Sequence, residues 1–550
     1  MEIDEGIIKE RLNKLFEEEN DCPIRNICIY PYGELGKSVH NLIKEQYKNI
    51  NVVCIFDNYL CNNNDIKHIE ELVSFPQQSI DKILICTVTF YNEILSSIPD
   101  CFKNKTYSMF FKKSEISLYD SINIRKYPYD NLTFVLQFQT NNRIKETELK
   151  KRIRRDSNKK VKVCFLVSYI SRLGFLSIYN RMISDGTFTP FILLYNAHEN
   201  LFYSNNNSEK EWNKHCESFD YLKNKGYKVI NGYDEKRGFI PLDNFDIDII
   251  ITEDVYLDPM LLHYSNAYIN TNYLVCYLNY GFNVSNSFDY HYNNPISCTG
   301  WKIFVETKPD YSEFMKHSKY CGLNVVLTGS PRLDHYSEPI NEHCIPNKIN
   351  NGKPIIIYAP HWTIDFKPDY LSYGTFHLYY NFFLNLAKTN PQFNFVFKPH
   401  PELSRRLNYL GIMSYDEYED YLNQWNSLDN GYVYEQGDYI DLFRKSALLI
   451  QDSGSFICEW LPSLNPCIYL INPINKDNFY EGYSSLARNI LKSYYHCFSV
   501  EDIQDCFNSI MVDKKDPLYK AREKSIKDNF INIGSAGEKI VNYLKKVLLD

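Results

Sequence analysis

Short, almost wholly apolar runs alternate along this chain with longer stretches of mixed polarity. RNICIYPYGELGKSVHNLIKEQ reads as strand, glycine turn and helix, and the strands NVVCIFDNY and DKILICTVTF follow it. Runs that are apolar on both faces, rather than alternating, belong to parallel strands covered by crossover helices. A second series comprises VKVCFLVSYI, FTPFILLYNAH, GYKVI, FDIDIIITEDVYL, YLVCYLNYGF, WKIFVET and NVVLTGSPRLD. A third comprises KPIIIYAPHW, a helix over 376–389, FNFVFKPHPEL, GYVYE, SALLIQDSGS and NPCIYLIN, before a mainly helical tail. The pattern predicts an α/β protein with an N-terminal Rossmann-like domain over 1–120 and a linker over 121–160. Two further Rossmann-like lobes follow over 161–345 and 346–550, the second carrying the tail.

In open α/β sheets, ligands sit beyond the carboxyl ends of the strands. Those positions are polar here. YAP ends in His361, FKP in His400, LTGSP in Arg332 and LLIQ in Asp452, Ser453, Gly454 and Ser455, with Glu459 one turn later. A helix starting at 455 would aim backbone N–H groups and its dipole at an anion, with two hydroxyls as further donors. Glu459 could accept from a ribose. The alternative for DSGS is an ordinary helix cap. A histidine between two prolines, as His400 is, can donate to a phosphate or move a proton. In the first module Gly33, Gly36 and Asp57 approach a dinucleotide fingerprint, but Pro31 stands where its first glycine belongs.

Composition narrows the classes. A net charge of −8 argues against a general nucleic-acid binder. The exception is NRIKETELKKRIRRDSNKK, over 142–160, a basic segment suited to a solvated linker helix or an anionic membrane surface. The sixteen cysteines form no CxxC pair, as expected of buried thiols in a reducing compartment. No apolar stretch reaches the ~18–20 residues needed to span a membrane, and the acidic N-terminus is not a signal peptide.

TGSPRLD, KPIIIYAPHW, FKPHPEL and YIDLFRKSALLIQDSGSFICEWL, in that order, resemble the CDP-glycerol glycerophosphotransferase family, the polyol-phosphate transferases of teichoic-acid and capsule synthesis. The resemblance covers about 160–490. It implies a GT-B fold, no obligatory cofactor or metal, and transfer of a polyol phosphate, glycerol phosphate first among them, from a CDP-activated donor to a polymer or lipid-linked hydroxyl, releasing CMP. By that resemblance Arg332, Asp452, Ser453, Gly454, Ser455 and Glu459 hold the donor, and His400 meets its phosphate. His361 stands where the family has Thr. Tyr280, in LNYGFNVSNSF, stands where the family carries a catalytic His; a phenol is the poorer base at neutral pH. The base is then to be sought among His361, His400, His291 and Asp289. The expected place is the cytoplasm, at the inner membrane face where a lipid-linked acceptor lies. The alternatives are a glycosyltransferase using a sugar nucleotide, and a non-catalytic nucleotide-binding subunit of a capsule assembly complex.

Overall fold

The computed structural model describes residues 24–57, 66–86, 97–109, 132–156, 159–168, 173–195, 208–234, 238–254, 264–365, 372–435 and 439–550, with Lys9, Leu12, Asn13, Leu15 and Phe16. Three parallel sheets follow one another. The first holds β1 (Asn26–Tyr30), β2 (Asn51–Phe56), β3 (Ile66–Lys67), β4 (Lys82–Ile85) and β5 (Thr106–Ser108), in the order β3-β2-β1-β4-β5. Helix α1 (Glu34–Gln46) follows β1. A Cβ on Gly36 would stand 2.4 Å from the Pro31 carbonyl oxygen, so only glycine lets the helix pack this close to the turn.

Helix α2 (Leu132–Arg155) leads into the second sheet. Its strands are β6 (Val161–Val167), β7 (Phe188–Leu194), β8 (Val229–Asn231), β9 (Ile249–Thr252), β10 (Leu274–Leu278), β11 (Lys302–Val305) and β12 (Val325–Leu327), in the order β12-β11-β10-β9-β6-β7-β8. The third sheet holds β13 (Ile355–Ala359), β14 (Asn394–Phe397), β15 (Gly431–Val433), β16 (Leu448–Gln451), β17 (Cys467–Leu470) and β18 (Tyr495–Cys497). Its order, β15-β14-β13-β16-β17-β18, is doubly wound: all strands are parallel, and the order in which they are added reverses between β13 and β16. Every residue of β13, β14, β16 and β17 is buried, as the apolar runs require. Two Rossmann-like lobes, preceded in the chain by a smaller Rossmann-like domain, are formed as expected.

Two boundaries differ from expectation. The basic segment is not a free linker. α2 lies on the second lobe, where Leu149 and Ile153 join its core. Gln139 and Asn142 donate to the carbonyls of Cys298, Gly300 and Thr299, and Lys145 to those of Asn270 and Tyr273. Arg152 forks onto Asp248. Arg143, Lys151, Arg154, Arg155, Lys159 and Lys160 stay exposed. Likewise the tail does not belong to the third sheet alone. Helix α3 (Ala536–Leu549) crosses back and buries Ile540, Val541, Leu544 and Leu548 in the core of the second lobe. Asp334 fixes its start by accepting from the backbone N–H groups of Ala536 (2.7 Å) and Gly537 (2.8 Å). Among the described residues no helix is long and apolar enough to cross a membrane.

Candidate functional site

The carboxyl ends of β14, β13 and β16 lie side by side and bring together His400, His361 and the segment from Asp452 to Ser455. Asp452 is fully buried and holds this edge in place. One oxygen accepts from the His361 backbone N–H (2.6 Å); the other accepts from the Thr375 backbone N–H (2.6 Å) and hydroxyl (2.8 Å). It positions His361 rather than a ligand. Burial outweighs these donors and pushes its pKa up to about 7. Asp452→Asn is expected to cost about 1–3 kcal/mol, because an amide nitrogen must then face one of the donors. The wild-type carboxyl keeps in the folded state a proton that the unfolded chain has already released. It therefore contributes a loss of stability as pH rises from the ordinary carboxylate range towards 7. Thermal melts across that range check both points, and the asparagine variant should lack the slope.

The rings of His361 and His400 meet edge to face, with centroids 4.8 Å apart. The Glu402 backbone N–H donates to Nδ1 of His400 (3.1 Å), and the Thr363 backbone N–H to Nδ1 of His361 (3.4 Å). A backbone N–H can only donate, so both rings accept at Nδ1 and carry their proton on Nε2 when neutral. They are neutral at pH 7. Burial and then the neighbouring His400 push His361 down to about 3, and burial and then Lys398 push His400 down to about 4. The site therefore presents two neighbouring neutral N–H donors, and neither ring is set up to take a proton at Nε2.

Ser453 turns inward and accepts from the Ser455 backbone N–H (2.9 Å). The helix that follows is short, Phe456–Trp460 with a 3₁₀ turn behind it. Ser455 is exposed. A Cβ on Gly454 would lie 3.1 Å from Val284 Cγ2, so this glycine admits a loop of the second lobe. That loop is clasped to the third module: the backbone N–H of Asn286 donates to the Gly482 carbonyl and that of Ser484 to the Val284 carbonyl. Within the clasp Ser285 Oγ lies 2.7 Å from Nε2 of His291. The Asp289 side chain lies outside the described structure.

Arg332 and Glu459 have partners other than those expected. Arg332 is 16% exposed and lies between Glu253 (3.3 Å) on the second lobe and Glu459 (3.6 Å) on the third, and it also donates to the Tyr280 carbonyl. Glu459 additionally accepts from the Tyr439 hydroxyl. The pair thus ties the two lobes, and the guanidinium is already neutralised. Tyr280 is 49% exposed and meets this tie through its backbone oxygen.

Among the described residues a further cation at this edge is Lys398, which strand-end reasoning from the sequence does not single out. It is 9% exposed and makes no ion pair or hydrogen bond through its ammonium among the described residues. The ammonium lies 4.7 Å from the ring centre of Tyr439, 5.6 Å from that of Tyr434 and 5.8 Å from that of Phe456. Burial pushes its pKa down to about 8. Its signal was present in FNFVFKPHP, a lysine closing an otherwise apolar strand two residues before His400.

In the N-terminal domain, Gly33 caps α1, and Oδ2 of Asp57 accepts from the Tyr32 backbone N–H (2.9 Å). Asp57 thereby braces the glycine turn itself. Among the described residues no group of three or more His, Cys, Asp or Glu is placed to hold a metal ion.

No protein-family model matches the chain, and no curated protein matches it in sequence. Similar solved structures include the wall teichoic acid polymerase TagF, 14% identical over 80% of this chain and 98% of that one, with a TM-score of 0.46. A UDP-GlcNAc 2-epimerase from Neisseria meningitidis bound to UDP-GlcNAc is 14% identical over 70% and 100%, with a TM-score of 0.44. A glycosyltransferase from Rickettsia africae is 16% identical over 71% and 99%, with a TM-score of 0.39. These likenesses are distant and concern the fold.

Proposed function

We propose that the protein is a transferase that moves a polyol phosphate from a CDP-activated donor to a hydroxyl of a cell-surface polymer or lipid-linked acceptor. The observation that carries this is the pair of neutral Nε2–H donors on His361 and His400 beside the buried Lys398, whose ammonium has no ion-pair partner among the described residues. Two hydrogen-bond donors and one cation at adjacent strand ends suit a diphosphate and require no metal ion to complete them. The acceptor oxygen forms the new bond to the β-phosphorus, the bond to CMP breaks, CMP keeps the electron pair, and the acceptor proton is released. Phosphoryl transfer through a loose transition state depends mainly on positioning and electrostatics, so donors at the phosphate matter more than a strong base. The exposed basic residues of α2 would face an anionic membrane bearing a lipid-linked acceptor.

A sugar-nucleotide glycosyltransferase is the second candidate, favoured by the tyrosine at 280. Equilibrium titration with CDP, UDP and GDP separates the two. Tightest binding of CDP supports the CDP donor, and tighter binding of UDP or GDP contradicts it. Lys398→Met is expected to weaken nucleoside diphosphate binding roughly 10–100-fold, the worth of one charged hydrogen bond. The ammonium is charged below its pKa of about 8 and loses its charge above it. Wild-type affinity should therefore fall as pH rises through that value, and the methionine variant should not show this fall.

A further inference from the structure

A cavity of about 480 Å³ opens at the carboxyl ends of β16 and β17, where it shares Asp452 with the site above. Tyr373, Asn475, Asp477, Phe479 and Glu481 are among its walls. Tyr373 is also the link to the histidine pair, since its ring lies edge-on to His361 at 6.1 Å between centroids. Strand order places the two sites on opposite sides of His361. His400 and Lys398 end β14 on one side of β13, and the cavity lies over β16 and β17 on the other. At ~4.8 Å per strand, β14 and β17 are about 14 Å apart, the reach of an extended donor molecule laid across the sheet edge.

The chemistry of the walls differs from that of the phosphate side. Two exposed carboxylates, Asp477 and Glu481, outnumber the one cation, Lys476. The third carboxylate, Asp452, is occupied by His361 and Thr375. Such a wall repels a phosphate. Carboxylates accept hydrogen bonds from neighbouring hydroxyls, and the rings of Tyr373 and Phe479 offer apolar faces for carbon-bound hydrogens. The volume lies within the ~300–1,000 Å³ of pockets that enclose a ring-sized ligand, which a three-carbon polyol would leave largely empty.

We propose that this cavity takes the hydroxyl-rich part of the donor, a neutral five- or six-carbon polyol or sugar rather than glycerol. This rests on the donor site proposed above, and the test separates the two. Saturation-transfer NMR on the full chain uses free ribitol, glucose and glycerol at millimolar concentration, with CDP as a separate probe. Ribitol or glucose is expected to receive saturation at least threefold above glycerol, ribitol pointing to a linear polyol and glucose to a sugar. The double variant Asp477→Asn, Glu481→Gln, both on the surface, should lose that difference while CDP binds as before. Absence of saturation for ribitol and glucose, a glycerol signal as strong as theirs, or a variant indistinguishable from wild type overturns the cavity assignment. Polyol saturation that the variant loses, with no CDP binding to the wild type, supports the cavity and overturns the nucleotide site instead.

Discussion

Replacing His400 by alanine is expected to lower turnover of a nucleotide-activated donor by roughly 10²–10³-fold, the cost of removing one preorganised donor from developing phosphate charge. The ring is set by the Glu402 backbone N–H and held against His361, so its Nε2–H is aimed before any ligand arrives. Its depressed pKa, about 4, means that turnover should not titrate with this histidine between pH 6 and 8. A general base of ordinary pKa at that position would make the rate rise through that range. Rate profiles of wild type and His400→Ala, with circular dichroism to verify folding, distinguish donor from base. His361→Ala should act in the same direction, and the two losses should not add, since the rings share one contact.

The second large effect concerns stability. Arg332→Met leaves Glu253 and Glu459, whose side chains are 4% and 6% exposed, without their common cation. Removing one partner from a buried ion pair costs about 3–5 kcal/mol, because the remaining charge stays desolvated. Burial already pushes Glu459 up, with Arg332 as the main force holding it down. Without the arginine, the folded protein binds protons that the unfolded chain has released, so the deficit should grow as pH rises and shrink as it falls. Adding Glu459→Gln to Arg332→Met should recover part of the loss. Denaturant melts at low and neutral pH check this. A phosphate-binding arginine held by no carboxylate would instead leave stability nearly unchanged.

These residues also show what the sequence could carry. The buried strands were legible as unbroken apolar runs, and the helix at 376–389 was found where the structure has Phe376–Thr389. The strand-end rule located His361, His400 and the Asp452 segment, because parallel topology alone puts those ends on one edge. Contacts across long sequence separation were not legible. Nothing near Arg332 announces Glu253, and nothing in the tail announces that α3 leaves the third module for the second lobe. Lys398 was overlooked because a lysine at the end of a strand ordinarily reaches solvent; three rings folded from 434–456 are what enclose it. Asp452 was read as a ligand contact because a strand-end carboxylate gives no hint that two backbone N–H groups will claim it.

The measurement that tests the central claim most directly is release of nucleotide. Purified protein is incubated with CDP-glycerol, CDP-ribitol, UDP-sugars or GDP-sugars, with and without a membrane or capsule-oligomer acceptor, and the freed nucleotide is resolved by chromatography. CMP that appears from a CDP-polyol only when acceptor is present, and not from His400→Ala, is the result expected. UDP or GDP release, or tight nucleotide binding with no release from any donor, would contradict it.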